Sequence, residues 1–412
     1  MTLFPAVTAP ALAALLVGGC GWGLRRRNLD RWLLSYLRQL PRRRSPRAEE
    51  EVHLLLCVAD HWEPKYQGAS PELARSRVRR WVDGYPRQFA RFRDSDGRTP
   101  QHTFFYPAEE YEAEYLDALT GLCAGGFGEV EIHLHHDADT ADGLRTKLAA
   151  FRDTLAGRHG LLGRQRDTGA AGYAFIHGNW ALCNSDPTGR HCGVNEEIVV
   201  LRDTGCYADL TLPSAPSPAQ VGKINSLYYA VDRPGRPRSH ETGVDVGTAP
   251  QPPGSLMLIE GPLALNWASR KWGLLPRLEN GCLQRSQPPG VGRLRLWLRA
   301  RVQVPTRPDW FFVKLHCHGT IETDQDTLLG EPMARFHEAL AELAADNPHF
   351  HYHYVTAREL YNLARAAEAG WTGSVESARD FEVLPAPALA FRPAPPSAGV
   401  ATPPRHPLPL ES

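Results

Sequence analysis

Apolar runs alternate with amphipathic stretches along the middle of the chain, and this alternation predicts an α/β fold. Val52 to Ala59 is a continuous apolar run interrupted only by His53, which is typical of a buried parallel strand. Pro71 to Arg93 has apolar residues at helical spacing, and Ser70 is placed to cap it. Comparable strands and helices follow as far as a closing helix over Thr356 to Glu368. Elements alternating in this way favour a parallel (β/α) barrel or a doubly wound sheet.

The pattern weakens between Pro213 and Pro308, where loops rich in proline and glycine separate three short apolar runs. We expect strands at 227–231, 256–259 and 294–304, with long insertions between them. From Gly370 onward proline, alanine and serine dominate, which predicts a disordered tail. The predicted segments are an apolar N-terminal segment at 1–24, a basic helix or linker at 25–50, the barrel at 51–369 and the disordered tail at 370–412.

The N-terminal segment is apolar, and Arg25, Arg26 and Arg27 follow it directly. A secretory signal places its positive charge before the apolar stretch, so this order is the reverse. If the segment enters a bilayer as an anchor, the positive-inside rule keeps the following domain in the cytoplasm. Residues 25–47 alternate arginine with leucine, tryptophan and tyrosine. They form either a helix on an anionic membrane surface, giving membrane contact through residues 1–47, or a helix packed on the domain. The expected location is cytoplasmic, with attachment to the inner face of the membrane left open.

The charge balance changes the list of expected partners. Lysine and arginine total 46, and aspartate and glutamate also total 46. Without a global basic field, nucleic acid is excluded as the default partner. The eight cysteines include no Cys-x-x-Cys pair, which argues against a zinc ribbon or a thioredoxin-type site.

Histidine-rich clusters at the ends of predicted strands carry the candidate chemistry. One cluster runs from Glu131 to Asp139, and the other runs from Val313 to Gly319. Alternation along a strand places His133 with His135 on one face, and His316 with His318 on one face. In a parallel sheet the carboxyl ends of the strands open on the same side, so these groups can converge with Asp60-His61-Trp62-Glu63 after the first strand. Imidazole and carboxylate ligands suit a divalent metal, zinc above all.

The order of these motifs resembles the polysaccharide deacetylase (NodB-homology) superfamily, whose fold is an irregular (β/α) barrel. The resemblance covers residues 51–368 and rests on five motifs in the same order: Val58-Ala59-Asp60-His61-Trp62, Glu131-Ile132-His133-Leu134-His135, Gly178-Asn179-Trp180, Asp209 and Val313-Lys314-Leu315-His316. It implies that Asp60 is the catalytic base and that His61 replaces a metal-binding aspartate. It also implies His135 and Asp139 as metal ligands. A shift of two residues would pair His133 with Asp137 instead, and the sequence leaves both pairs open.

The same resemblance implies the residues that meet the substrate. Asn179 and Trp180 fall where the family has a groove wall, and Asp209 falls where it has a carboxylate that tunes the catalytic histidine. His316 takes the role of the acid, with His318 as the alternative. We therefore expect a zinc-dependent hydrolase that removes acetyl groups from a polysaccharide, such as an exopolysaccharide, or from a glycan precursor. Another metal-dependent amidohydrolase and a barrel that only binds carbohydrate are the alternatives.

Overall fold

The computed structural model describes residues 23–389, in which a 13-stranded sheet forms the centre of the fold and a separate hairpin has two strands. The strands are β1 (Val52–His61), β2 (His102–Pro107), β3 (Gly128–Leu134), β4 (Gly163–Gln165), β5 (Ala171–His177), β6 (Cys206–Asp209), β7 (Leu227–Val231), β8 (Val244–Asp245), β9 (Ser255–Ile259), β10 (Ala264–Lys271), β11 (Leu275–Glu279), β12 (Cys282–Leu283), β13 (Trp310–Cys317), β14 (Phe350–Tyr354) and β15 (Val383–Leu384). The α-helices discussed below are α1 (Leu33–Arg38), α2 (Pro71–Phe89), α3 (Ala113–Ala124), α4 (Ala141–Arg158), α5 (Glu197–Asp203), α6 (Val291–Ala300), α7 (Glu322–Leu328), α8 (Glu331–Asp346), α9 (Ala357–Glu368) and α10 (Val375–Ala378).

The main strand order is β12-β13-β1-β2-β3-β5-β6-β9-β7-β8. Neighbouring strands from β12 to β9 run parallel, whereas β7 pairs antiparallel with both β9 and β8. Within residues 23–389 no pairing joins β8 to β12, so the hydrogen-bonded sheet is open. The predicted α/β class is confirmed, and the sheet is mostly parallel. Closure into a barrel is not shown.

Alternation along the strands divides the side chains between two cores. Leu54, Leu56 and Val58 of β1 join a core shared with α2, α3 and α4. Leu55 and Cys57 join a second core, to which α9 contributes its buried face. We name the side covered by α2, α3 and α4 the outer face, and the side covered by α9 the inner face. Because successive side chains of a strand point to opposite faces, this division decides which groups can meet at the carboxyl ends.

One predicted element is wrong in kind. Residues 294–304 were expected to form a strand, but Val291–Ala300 is the helix α6. Its buried residues Leu294, Trp297 and Leu298 follow one another at spacings of three and one, so they line one side of a helix. The alternation of arginine and leucine over 293–296 also fits a strand, and packing of Trp297 against Phe336 of α8 favours the helix.

The basic segment after the N-terminus packs on the domain. Trp32 and Tyr36 are buried in a small core with Ile224 and Leu263, which is the second of the two arrangements that the sequence allowed. The amide of Gln39 donates to the carbonyl of Ile224 at 2.8 Å and fixes the segment there. In the described part of the chain every helix is too short or too polar to cross a bilayer. The predicted anchor at 1–24 lies almost wholly outside the described residues.

The domain extends beyond its predicted boundary at residue 369. Val375, Arg379 and Val383 are buried, and β15 pairs antiparallel with β4. Arg379 forms ion pairs with Asp96 at 2.8 Å and with Glu359 at 3.0 Å. The prediction of disorder from residue 370 is therefore wrong for 371–389, where a few buried contacts outweigh a composition poor in apolar residues. Residues 390–412 of the predicted tail lie outside the described residues.

Candidate metal centre

Four side chains from two strand ends meet on the inner face of the sheet. His61 ends β1, Glu63 follows it by two residues, His133 lies in β3, and His135 directly follows β3. Nε2 of His133 is 3.0 Å from Oε1 of Glu63, and Nε2 of His135 is 3.6 Å from the same oxygen. The ring centroids of His61 and His133 are 4.8 Å apart. We name these four residues the histidine centre.

Hydrogen bonds on the far side of two rings set their orientation. Nδ1 of His133 is 3.0 Å from the carbonyl oxygen of Ile176 on the neighbouring β5. Nδ1 of His135 is 2.5 Å from Oε1 of Glu109, in the turn after β2. When each Nδ1–H donates to its oxygen, each Nε2 turns a lone pair toward Glu63. Metal-binding histidines are held in this way, with an oxygen acceptor behind the ring.

The spacing of the donor atoms fits a bound ion. His61, Glu63 and His133 each place a ligand atom within 4.8 Å of the others, and all three are buried. Ligands about 2.1 Å from a zinc ion lie roughly 3.0–3.4 Å apart, which is close to the separations around Glu63. Among the described residues the buried Nδ1 of His61 has no hydrogen-bond partner. A lone pair of His133 facing a carboxylate and an unsatisfied atom of His61 are both explained by a cation between them.

Trp180, His316 and His318 surround the histidine centre. The ring of His318 stacks on His61 at 4.7 Å between centroids, and His318 is partly exposed. Trp180 lies 5.9 Å from the ring of His61 and is half-buried, whereas His316 is buried 6.1 Å from Trp180. Trp180 has φ 58°, a left-handed conformation that bulky residues rarely adopt. The fold therefore holds this indole over the imidazoles at a conformational cost.

Burial controls the charge state of three histidines in and around the histidine centre. It lowers the pKa of His61 and His316 well below the ordinary value, and neighbouring positive charge from His318 and Lys314 lowers it further. Burial also lowers the pKa of His318, although Glu63 and Asp60 oppose the effect. These imidazoles are therefore neutral at pH 7 and keep a lone pair for a ligand. Burial raises the pKa of Glu63, but donation from a protonated Nε2 of His133 more than compensates, so the pKa falls and Glu63 is ionised. A cation next to Glu63 would take the place of that proton.

Asp60, the expected catalytic base, does not belong to the histidine centre. It is the neighbour of His61 in β1, so strand alternation turns it to the outer face. Its Oδ2 is 2.8 Å from Nε2 of His102, and its Oδ1 accepts the backbone N–H of Gly319 at 2.6 Å. Asp60 therefore holds the loop after β13 from behind, and it lies outside the histidine centre, in which the resemblance led us to expect the base.

Asp139 and its alternative Asp137 are also remote from the histidine centre. Asp139 accepts from Lys147 at 2.8 Å and lies 3.4 Å from Nδ1 of His136, at the start of α4. Asp137 accepts the backbone N–H of His191 at 2.6 Å. Both candidate carboxylate ligands lie outside the histidine centre, because the chain leaves the strand at His135 and turns toward the outer face. The centre keeps His133 and His135, one histidine from each of the two pairs left open by the sequence.

Of the remaining expected residues, four lie at or next to the histidine centre and one lies elsewhere. Trp180, His316 and His318 lie at the centre, and Asn179 is half-buried next to Trp180. Asp209 is buried and accepts from the backbone N–H of Thr211 at 3.0 Å and from its hydroxyl at 2.8 Å. Burial raises the pKa of Asp209 to about 7. Its carboxylate is hydrogen-bonded to Thr211 inside the fold, away from the open side of the histidine centre.

Two carboxylates of the site were not among the expected residues. Glu63 lies two residues after His61, and in an extended chain residues two apart face the same side. Continuing the strand pattern beyond β1 would therefore have predicted that Glu63 faces the same side as His61. Glu109 stands behind His135, and its position depends on the path of the turn after β2. No sequence pattern signals such a contact between separate loops.

No protein-family model and no curated protein matches the chain. Among solved structures, the 4-alpha-glucanotransferase from Thermococcus litoralis is similar with a TM-score of 0.37 and 11% sequence identity. The similarity covers 76% of this chain and 40% of that chain, so it spans less than half of the glucanotransferase. A similarity of this extent does not establish a shared fold or function. The resemblance to polysaccharide deacetylases rests on the sequence motifs.

Proposed function

We propose that the chain is a metal-dependent hydrolase that removes acyl groups from carbohydrate, with the histidine centre as its metal site. The observation that carries the proposal is the convergence of the buried His61, Glu63 and His133 beneath the half-buried Trp180. A buried set of this kind at the carboxyl ends of parallel strands is where α/β folds place their chemistry. The acetyl group as the leaving acyl group is the inference from the sequence resemblance.

The residues of the centre divide into ligands, base and acid. His61, His133 and His135 would hold the ion through ring nitrogens, with zinc as the divalent metal that best suits them. A bound divalent ion supplies a Lewis acid and a water of lowered pKa. Glu63, ionised and next to the imidazoles, takes the proton of the attacking water. His318 would protonate the leaving group after taking up a proton from solvent, which reaches it because it is partly exposed, whereas His316 is buried.

Two aromatic rings flank His318 on the open side of the centre. Trp180 lies 6.2 Å from the ring of His318, and Tyr66 lies 6.3 Å from it. Both are only partly buried, so they present apolar surface and a polar edge to a ligand. We infer that a sugar ring packs against these rings, with its acyl group directed toward Glu63.

The pair Glu63→Gln and Asp60→Asn tests the assignment of the base. Acetate release from acetylated glycans is measured with the full chain after metal removal and reconstitution with zinc. We expect Glu63→Gln to lose about 10²–10⁴-fold in rate, the usual contribution of a positioned acid or base. Asp60→Asn should stay within about threefold of the parent, since its Oδ1 can still accept from Gly319.

Each outcome of that assay decides a point. Full activity in Glu63→Gln would sink the proposed base, and a large loss in folded Asp60→Asn would restore the assignment taken from the sequence. Stoichiometric metal without acetate release would favour another amidohydrolase or a carbohydrate-binding protein. If zinc uptake does not depend on His61 and His133, the histidine centre is not a metal site.

A further inference from the structure

A second group of potential ligands lies behind His135, on the outer face. It consists of His136 after β3, His177 at the end of β5, Cys192 in the following loop and Glu197 at the start of α5. All four are buried, and their ligand atoms lie within 4.8 Å of one another. We name them the Cys192 cluster. It shares no residue with the histidine centre, and its donors are two imidazoles, a sulfur and a carboxylate.

The sulfur of Cys192 both accepts and donates hydrogen bonds. The backbone N–H groups of Asn184 and Val194 both donate to Sγ, at 3.3 and 3.4 Å. Two donors directed at one sulfur favour its negatively charged form. The S–H of Cys192 donates to Oε2 of Glu197 at 3.4 Å, so binding of a cation here would release this proton and leave two adjacent negative charges. A buried thiolate next to a buried carboxylate is costly unless a cation neutralises them.

Contacts behind Glu197 fix its carboxylate. Oε2 of Glu197 accepts the backbone N–H of Cys183 at 2.6 Å, while its Oε1 is 3.2 Å from Nε2 of His136. On the other side of that ring, the buried Nδ1 of His136 has no hydrogen-bond partner among the described residues, and the carboxylate of Asp139, which is paired with Lys147, lies 3.4 Å away. A small rotation of the ring would bring Nδ1–H onto this carboxylate, the contact that orients metal-binding histidines.

His177 supplies the observation that points to a missing partner. Among the described residues its buried Nε2 has no hydrogen bond, and the nearest acceptor, Oε1 of Glu197, is 3.8 Å away. Its Nδ1 receives the backbone N–H of Asn179 at 3.2 Å. Binding of a metal through Nε2 requires the proton of the ring to move to Nδ1. The hydrogen bond from Asn179 to Nδ1 must therefore break when His177 binds the metal.

We propose that the Cys192 cluster is a structural zinc site, closed by His136, His177, Cys192 and Glu197. Zinc accepts nitrogen, sulfur and carboxylate ligands together, and a site with four protein ligands leaves no open position for a substrate. The cluster is separate in composition and role from the metal centre of the proposed function, and it can be tested whether or not that function is correct.

The zinc would anchor the loop that carries Trp180. This loop leaves β5 at His177 and returns to α5 at Glu197, so both ends are ligands. Within it Trp180, Cys183 and Asn184 have positive φ values of 58°, 49° and 51°. Such backbone conformations are strained for most residues and persist only when their surroundings enforce them. Four bonds to one ion supply that enforcement, and removing the ion should release the loop.

Cobalt binding distinguishes this cluster from the histidine centre. Co²⁺ bound to a thiolate gives a charge-transfer absorption band in the near ultraviolet, whereas a site of imidazoles and carboxylates gives none. We expect the full-length apoprotein to show this band on titration with Co²⁺. It should persist in His61→Ala/His133→Ala, which removes the histidine centre, and should be absent in Cys192→Ser.

Matched variants control for other thiols and for misfolding. Cys183→Ser and Cys317→Ser change buried cysteines outside the cluster, and Cys317 lies with Asp60 and His102 in another potential ligand group. Loss of the band in either of them, or no band in the parent, overturns the proposal. If Cys192→Ser does not fold, His177→Gln decides the question. It should weaken Co²⁺ binding at least tenfold, and unchanged affinity overturns the site.

Discussion

Gly178 lies between the two ligand groups, directly against a ring of the histidine centre. A Cβ at this position would lie 2.7 Å from Nε2 of His135, closer than real side chains approach. The loop after β5 therefore needs glycine for its close approach, rather than for an unusual backbone angle.

Gly178→Ala is expected to displace the ring of His135 and to weaken zinc binding at the histidine centre about 10- to 100-fold. The measurement is zinc affinity by competition with a chelating dye, together with circular dichroism to verify folding. Gly157→Ala is the matched control, because a Cβ on Gly157 meets nothing within 4 Å. Equal zinc affinity in the two variants would exclude His135 as a ligand.

Single residues also show which placements can be predicted from strand alternation and which cannot. The alternation that pairs His133 with His135 and His316 with His318 could be read from the sequence, and these residues do gather on one side. The same rule separates Asp60 from His61, because they are adjacent in β1. Glu109 could not be predicted, since its contact with His135 joins two loops whose paths depend on the whole fold.

At the scale of elements, the C-terminal segment after α9 is part of the domain. The guanidinium of Arg358 is buried between Glu129 of β3, at 3.0 Å, and the carbonyl of Val383, at 2.7 Å. The amide of Asn362 donates to the same carbonyl at 2.8 Å. Both side chains also donate to the carbonyl of Arg379, so removal of 370–389 would take away every one of these carbonyl acceptors and leave Arg358 hydrogen-bonded to Glu129 alone.

A chain ending at Ala369 should therefore be destabilised by at least about 3 kcal/mol, the usual cost of disrupting a buried ionic network. A chain ending at Leu389 is the control and should unfold as the full-length protein does. Urea unfolding followed by circular dichroism compares the three. Equal midpoints for the chain ending at Ala369 and the control would show that 371–389 contribute no stability.

The type of element could be predicted where the apolar residues of a segment followed either the strand or the helix spacing alone. It was mispredicted where they fitted both spacings. The capping box of α9, in which Thr356 and Glu359 bond to each other's backbone, could be read from the sequence. Residues 293–298 combine alternating arginine and leucine with apolar residues at helical spacing. Packing of Trp297 on α8 selected the helix, and packing depends on elements distant in sequence.

For the whole molecule, buried neutral histidines make stability depend on pH. His337 packs among Phe89, Phe92 and Phe336, and its Nδ1 lies 2.8 Å from the hydroxyl of Tyr354. Burial lowers its pKa to about 3. Between pH 3 and the ordinary value of about 6.5 the unfolded chain binds the extra proton, so stability is complete above pH 6.5 and falls with acidification.

The contribution of His337 to this loss is expected to be about 2 kcal/mol between pH 7 and pH 5. In His337→Asn, which keeps a polar atom near the position of Nδ1 but cannot be protonated, that part of the pH dependence should disappear. Urea unfolding at pH 7 and pH 5 measures the difference between the variant and the parent. The same pH dependence in both proteins would show that His337 is not a buried neutral group.

The sequence alone determined the α/β class, the mostly parallel order of elements and the histidines available at the strand ends, because these follow from local periodicity and from residue type. Tertiary structure decided which carboxylate meets those histidines, replacing Asp60 and Asp139 with Glu63. It also brought together His136, His177, Cys192 and Glu197, and kept 371–389 in the domain. These outcomes depend on where one loop crosses another, and such crossings are fixed by the packing of the whole chain rather than by any segment of it.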